Sequence, residues 1–98
     1  MFEIIQSETF KCWRAGLKDR QAVLRINARL ERVADGNFGD AKPAREGVSE
    51  LRIDYGPGYR VYFMRHGPLV IVLLAGGDKR TQDADIERAI AIAKDWKE

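Results

Sequence analysis

Residues 48–75 hold three apolar runs separated only by turn-length gaps, and no other feature constrains the fold as tightly. Val48–Asp54 and Tyr59–Arg65 alternate at period two, so odd and even residues leave opposite faces of a strand. Leu51 and Ile53 share one face, and Glu50, Arg52 and Asp54 the other. Tyr59, Val61 and Phe63 likewise oppose Arg60, Tyr62 and Met64. The links YGPG, from Tyr55 to Gly58, and HGP, from His66 to Pro68, are rich in turn formers and short enough for hairpins. Pairing the first two runs projects Arg52, Arg60 and Tyr62 from one side of a small sheet. Leu69–Ala75 does not alternate, which predicts a central strand covered on both faces.

Around this core the chain offers helices. Phe2–Gln6 reads as an opening strand and the second neighbour of the central one. Ser7 or Thr9 can cap a brief helix bearing Phe10, Trp13 and Leu17 at helical spacing. Asp19 is placed to cap a longer helix with Val23, Ile26, Leu30 and Val33 on its apolar stripe. Arg20, Arg25, Arg29 and Arg32 fall largely outside that stripe, and Gly36 suits the left-handed position after the last turn. So short a link predicts an antiparallel helical hairpin. Asn37–Gly47 reads as a polar loop. A final helix from Thr81 or Gln82 to Trp96 aligns Ile86, Ala89, Ile90, Ala93 and Trp96, with acids in its first turn and lysine in its last. Gly76-Gly77 lacks the Gly-x-x-x-x-Gly-Lys-Ser/Thr pattern of a phosphate-binding loop and reads as a sharp turn into that helix. The order βααβββα predicts an α+β fold over residues 1–98, a single domain. It has an antiparallel-rich sheet, an N-terminal helical hairpin and a C-terminal helix, the helices lying on one face.

Composition narrows the chemistry. No apolar run approaches the roughly 20 residues that cross a bilayer, and MFEIIQSETF lacks the basic and long apolar regions of a secretory signal. A cytoplasmic protein without membrane partners is expected. Cys12 has no disulfide partner in the chain, and it reads as a packing residue. Cys12 and His66 together cannot make the usual four-ligand zinc site, so no metal and no cofactor is expected. Against 15 acids stand 17 lysines and arginines, a net charge of +2 that permits a nucleic-acid partner without demanding one. Acids cluster at Asp83–Glu87, whereas Lys42, Arg45, Arg52, Arg60, Arg65, Lys79 and Arg80 belong to the strands and their loops.

Several stretches taken in order carry a family resemblance: LKD at Leu17–Asp19, GNFGD at Gly36–Asp40, ELRI at Glu50–Ile53, GPGYRVYF at Gly56–Phe63 and GGDK at Gly76–Lys79. With the order of elements, they make nearly the whole chain resemble the RelE/ParE toxin superfamily. Within it, the chain is similar to the HigB-like branch, described as addiction module killer proteins. The resemblance implies the toxin of a type II toxin–antitoxin system, a metal-independent endoribonuclease (an mRNA interferase). Such an enzyme cleaves mRNA with help from the ribosome and so inhibits translation. It also implies a cognate helix-turn-helix antitoxin and contact with operator DNA only through the antitoxin complex. ParE-type relatives instead poison DNA gyrase and cut no RNA. An inactive antitoxin-binding module is a third possibility.

Metal-free RNA cleavage uses the ribose 2′-hydroxyl as nucleophile and needs cations for the charge growing on phosphorus. A guanidinium meets that need because it stays protonated and donates two parallel hydrogen bonds. By the resemblance, Arg60 falls on the catalytic strand arginine of ribosome-dependent relatives, Arg52 on a sheet lysine, and Lys79-Arg80 on a basic pair after the last strand. Arg60 with Lys79 or Arg80 would then stabilise the transition state, and Arg52 would orient the substrate. An ion pair of Arg52 or Arg60 with Glu50 or Asp54 is the structural alternative. Some relatives carry a tyrosine early in the last helix, where this chain has Asp85 and Ile86; others carry a histidine near the C-terminus, and here none follows His66. Proton-transfer candidates are therefore Glu50, Tyr62, His66 and Asp78. Tyr62 could instead stack on a base, and Lys42 and Arg45 could meet backbone phosphates.

Overall fold

The computed structural model describes residues 1–96. Its elements are β1 (Glu3–Gln6), α1 (Glu8–Ala15), α2 (Arg20–Ala34), β2 (Ala41–Arg45), β3 (Val48–Ile53), β4 (Tyr59–Arg65), β5 (Val70–Asp78), a single 3₁₀ turn (Lys79–Thr81) and α3 (Gln82–Asp95). The expected α+β layout is present, with two helices before the main sheet strands and one after. One strand was missed. Ala41–Arg45, expected as loop, pairs antiparallel with β3 and completes a five-stranded sheet of order β1-β5-β4-β3-β2. Pro43 and the register break beside it hide this strand from a periodicity reading, because both belong to edge strands.

β5 is central as expected, with β1 parallel on one side and β4 antiparallel on the other. The helices do not share a face. Phe10, Ile26, Leu30 and Val33 of α1 and α2 pack with Leu51, Val61, Phe63 and Leu73 on one side. Ile86, Ala89 and Ile90 of α3 pack with Tyr62, Val72 and Leu74 on the other. A sheet with two apolar faces needs a cover on each, and β5 is apolar from Val70 to Ala75. The stripe of α2 uses Ala22 where Val23 was expected. Asp19 caps α2 by accepting from the Gln21 and Ala22 N–H groups, while Arg14 donates to Asn27 Oδ1 at 3.1 Å to link the two N-terminal helices.

Pairing along β4–β5 shifts between Tyr62 and Phe63, leaving Leu74 as the extra residue of a bulge. Ser7 caps α1 through its Oγ, which accepts from Phe10 N–H and donates to the Leu74 carbonyl at 2.7 Å. The bulge sends both Leu74 and Ala75 to the α3 side. It also explains why the run does not alternate. Past it, Gly76 and Gly77 continue the strand; they are not the turn that was expected. Their small size is what matters. A Cβ on Gly76 would fall inside the Trp13 indole, and one on Gly77 inside the Asp85 carboxylate. Gly76→Ala should therefore destabilise the fold by about 1–3 kcal/mol through overpacking. Urea unfolding checks this, and an unchanged midpoint would mean the indole moves aside freely.

Candidate functional site

The period-two reading of β3 and β4 places its charged residues correctly. Arg52 lies directly across from Arg60, and Glu50 across from Tyr62, all on the α3 side of the sheet. Two like charges facing each other repel unless something offsets them. Glu50 does so from beneath: it is 2% exposed, with Oε2 3.2 Å from Arg52 Nε and 4.0 Å from Arg60 Nε. Neither contact has hydrogen-bond geometry, so Glu50 Oε2 and Arg60 Nε are held by charge and not by a directed bond. Arg60, 5% exposed, donates from Nη1 to the carbonyls of Gly58 and Tyr59, each at 3.2 Å. Arg52 is more open, with 37% of its side chain exposed.

Above these groups opens a polar cleft of about 270 Å³. Arg52, Arg60 and Lys79 supply its cations, Asp40 and Asp54 its carboxylates, and the Gly56–Gly58 turn one wall. Lys79 reaches it because Gly58, at φ +81°, leaves room: a Cβ there would sit 3.1 Å from Lys79 Cγ. Lys79 forms no ion pair among the described residues. The wall itself is anchored to α2. Tyr55 Oη donates to Asp19 at 3.0 Å, and Arg25 lies over the Tyr55 ring.

Arg29, which the sequence places outside the apolar stripe of α2, is a structural anchor. Its guanidinium donates to the carbonyls of Arg52, Phe38 and Asp40. Burial pulls its pKa below the ordinary arginine value, with Asp40 opposing that shift. Those bonds fix the backbone on both sides of the cleft's open edge. Asp40 was overlooked, because the loop assignment hid its place opposite Arg52, whose N–H donates to the Asp40 carbonyl.

Other candidates fall outside the cleft. Arg80 is turned back on Asp78, donating from Nε at 3.3 Å and Nη2 at 3.1 Å. That fork, together with the Arg80 N–H, holds the Asp78 carboxyl below its usual range, so Asp78 is a poor proton donor near neutrality. Arg45 pairs with Glu87 of α3 at 3.1 Å. His66 is exposed in the β4–β5 turn, at the other end of β4 from Arg60. Cys12, expected to pack, is exposed. Among the described residues, no group of three or more histidine, cysteine or carboxylate side chains is arranged to hold a metal ion. No described helix is long and apolar enough to cross a membrane.

Tyr62 is fully buried and presents no ring for a base to stack on. Burial raises its pKa first, with Glu50 and Asp85 adding to the rise, and its hydroxyl has no hydrogen-bond partner among the described residues. Because the folded pKa is raised, this tyrosine favours the fold below its unfolded pKa of about 10. That contribution is lost as pH climbs towards the folded value. Tyr62→Phe should be as stable as the parent or more so, by up to about 1–3 kcal/mol, since it removes an unpartnered buried hydroxyl. It should also lose less stability between pH 7 and pH 10.5. Urea titrations at the two pH values decide this, and a variant clearly weaker at pH 7 would point to a bond at the hydroxyl.

Comparison with known proteins adds kinship. Over 87 residues the chain is 48% identical to a Haemophilus influenzae protein, covering 89% of this chain and 88% of that one. It belongs to that protein's family. The relative is described only as an uncharacterized protein, and no family model matches the chain. Members this similar share a fold, so the Haemophilus relative has the same sheet and helices.

Proposed function

We propose that this protein is the toxin of a type II toxin–antitoxin system, a RelE/ParE-superfamily endoribonuclease of the HigB-like kind. It cuts mRNA on the ribosome without a metal and is held inactive by a helix-turn-helix antitoxin that carries the complex to operator DNA. The observation supporting this reading is the meeting of Arg52, Arg60 and Lys79, from two strands and the turn after a third, around one open cleft. A phosphodiester there would have a buried guanidinium, a part-exposed one and an ammonium with no ion pair among the described residues on its non-bridging oxygens. The ribose 2′-oxygen attacks phosphorus, its proton passes to a carboxylate, and the bond to the 5′-oxygen breaks as that oxygen takes a proton from solvent water, the carboxylic acid then returning its own proton to solvent. This leaves a 2′,3′-cyclic phosphate and a 5′-hydroxyl. The proton acceptor is drawn from Asp40 and Asp54, the carboxylates that line the cleft. The cations contribute because they are preorganised where negative charge grows.

One observation favours the second reading, a gyrase-directed toxin with no nuclease activity. The cleft is lined by neither histidine nor tyrosine, and the Glu50 carboxylate already engages both arginines. Primer extension on cellular mRNA after induced expression separates the two. New 5′ ends inside reading frames are the result expected. Double-stranded DNA breaks with intact mRNA would transfer the assignment to gyrase.

A further inference from the structure

A second hollow, of about 450 Å³, lies on the α2 side of the sheet beside the outer strand β2. Phe38 and Phe63 form its floor, their rings 5.6 Å apart and inclined by 27°. Arg65 stands at the rim with its guanidinium 4.8 Å from the Phe2 ring centroid and 5.7 Å from that of Phe38. Pro43 and Ser49 complete the wall, and Lys42 borders it from the edge strand, its side chain directed to the α3 side by its pairing with Glu50. No carboxylate lines this hollow, in contrast to the cleft with Asp40 and Asp54. Neither Lys42 nor Arg65 forms an ion pair among the described residues, whereas Arg45, Arg52, Arg60, Arg80 and Lys94 all do.

We infer that this hollow binds a nucleobase and its adjoining phosphate from single-stranded RNA, and so forms a second substrate contact. The inference rests on the proposed RNA-cleaving function for the identity of the strand. Flat aromatic and guanidinium faces accept any base by stacking, and Lys42, directed to the α3 side of the same edge strand, meets a phosphate of the chain as it rounds that edge. The two sites adjoin. Asp40 lines the cleft and Ala41 the hollow, and β2 is the outermost strand on that side of the sheet. A strand with one phosphodiester in the cleft can therefore pass round the free edge of β2 and lay a later base on Phe38 and Arg65. Pro43 and the register break beside it make that edge a poor template for a strand-adding protein, which favours nucleic acid as occupant. Recognition by stacking and one phosphate is sequence-tolerant, so this contact lends affinity and not codon choice.

The test is fluorescence anisotropy with a labelled 2′-O-methyl hexanucleotide, which cannot be cleaved through its 2′-oxygen, titrated with the full chain at several salt concentrations. Phe38→Leu should weaken binding at least about fivefold, as loss of one stacked base does. Lys42→Ala should lower the slope of log affinity against log salt by about 0.7, the share of one single-strand phosphate. Lys42 is exposed on an edge strand, so its variant keeps the question open to measurement if Phe38→Leu folds poorly. Affinity and salt slope unchanged in both folded variants would overturn the inference, as would equal binding of an abasic hexanucleotide. These outcomes are independent of the nuclease reading. Pocket-dependent binding without mRNA cleavage would sink the nuclease and spare the hollow, and cleavage with no effect of either variant would do the reverse.

Discussion

Glu50→Ala is expected to lower the stability of the fold by about 3–5 kcal/mol, the usual consequence of removing one partner from a buried ionic group. The carboxylate is the counter-charge for two cross-strand arginines, one of them almost wholly buried. Without it the Arg60 guanidinium keeps only the two carbonyls at the turn, and it faces Arg52 with nothing between them to offset the repulsion. Glu50→Gln keeps the shape and loses only the charge, so its loss should be smaller but in the same direction. Urea unfolding of the three proteins measures this directly. A loss below about 1 kcal/mol in the alanine variant would mean water reaches the arginines and screens them.

Lys79→Ala carries the largest expected effect on activity. Among the described residues, the lysine ammonium is the one cleft cation without a carboxylate partner, so in the proposed reaction its charge is available to the phosphoryl oxygens. Removing one such preorganised group should slow cleavage by on the order of 100- to 1,000-fold. Stability should move by no more than about 0.5 kcal/mol, because the side chain is exposed. Arg80→Ala, next along the chain, should change the rate little, since its guanidinium is forked onto Asp78 and points away from the cleft. Single-turnover cleavage of a model mRNA, with a thermal melt to confirm folding, compares the two. Equal losses at both positions would show that the pair acts as diffuse positive charge and would remove Lys79 from its assigned place.

That Arg52, Arg60 and Tyr62 share a face could be read from the chain because a strand's side-chain period is two, whereas the register that sets Arg52 across from Arg60 comes from a link of five residues between Ile53 and Tyr59. The caps of both N-terminal helices were legible for a similar reason: Ser7 and Asp19 act on N–H groups two or three residues away. Gly76 and Gly77 were misread as a turn, since a glycine required by a neighbouring ring looks the same in sequence as one required by φ. The anchoring role of Arg29 was hidden because the three carbonyls it holds come from positions 38, 40 and 52. Arg80 was joined to Lys79 as a basic pair. Yet adjacent residues in a tight turn point in different directions, and Asp78 captures one of them.

Local order therefore determined the strands, helix starts and shared faces of this protein, since each depends on dihedral preference and spacing within a few residues. Tertiary packing decided which helix covers which face, which cations remain free, and how β2 closes the sheet. Those outcomes depend on charges and volumes brought together from distant positions, and no run of neighbouring residues encodes them.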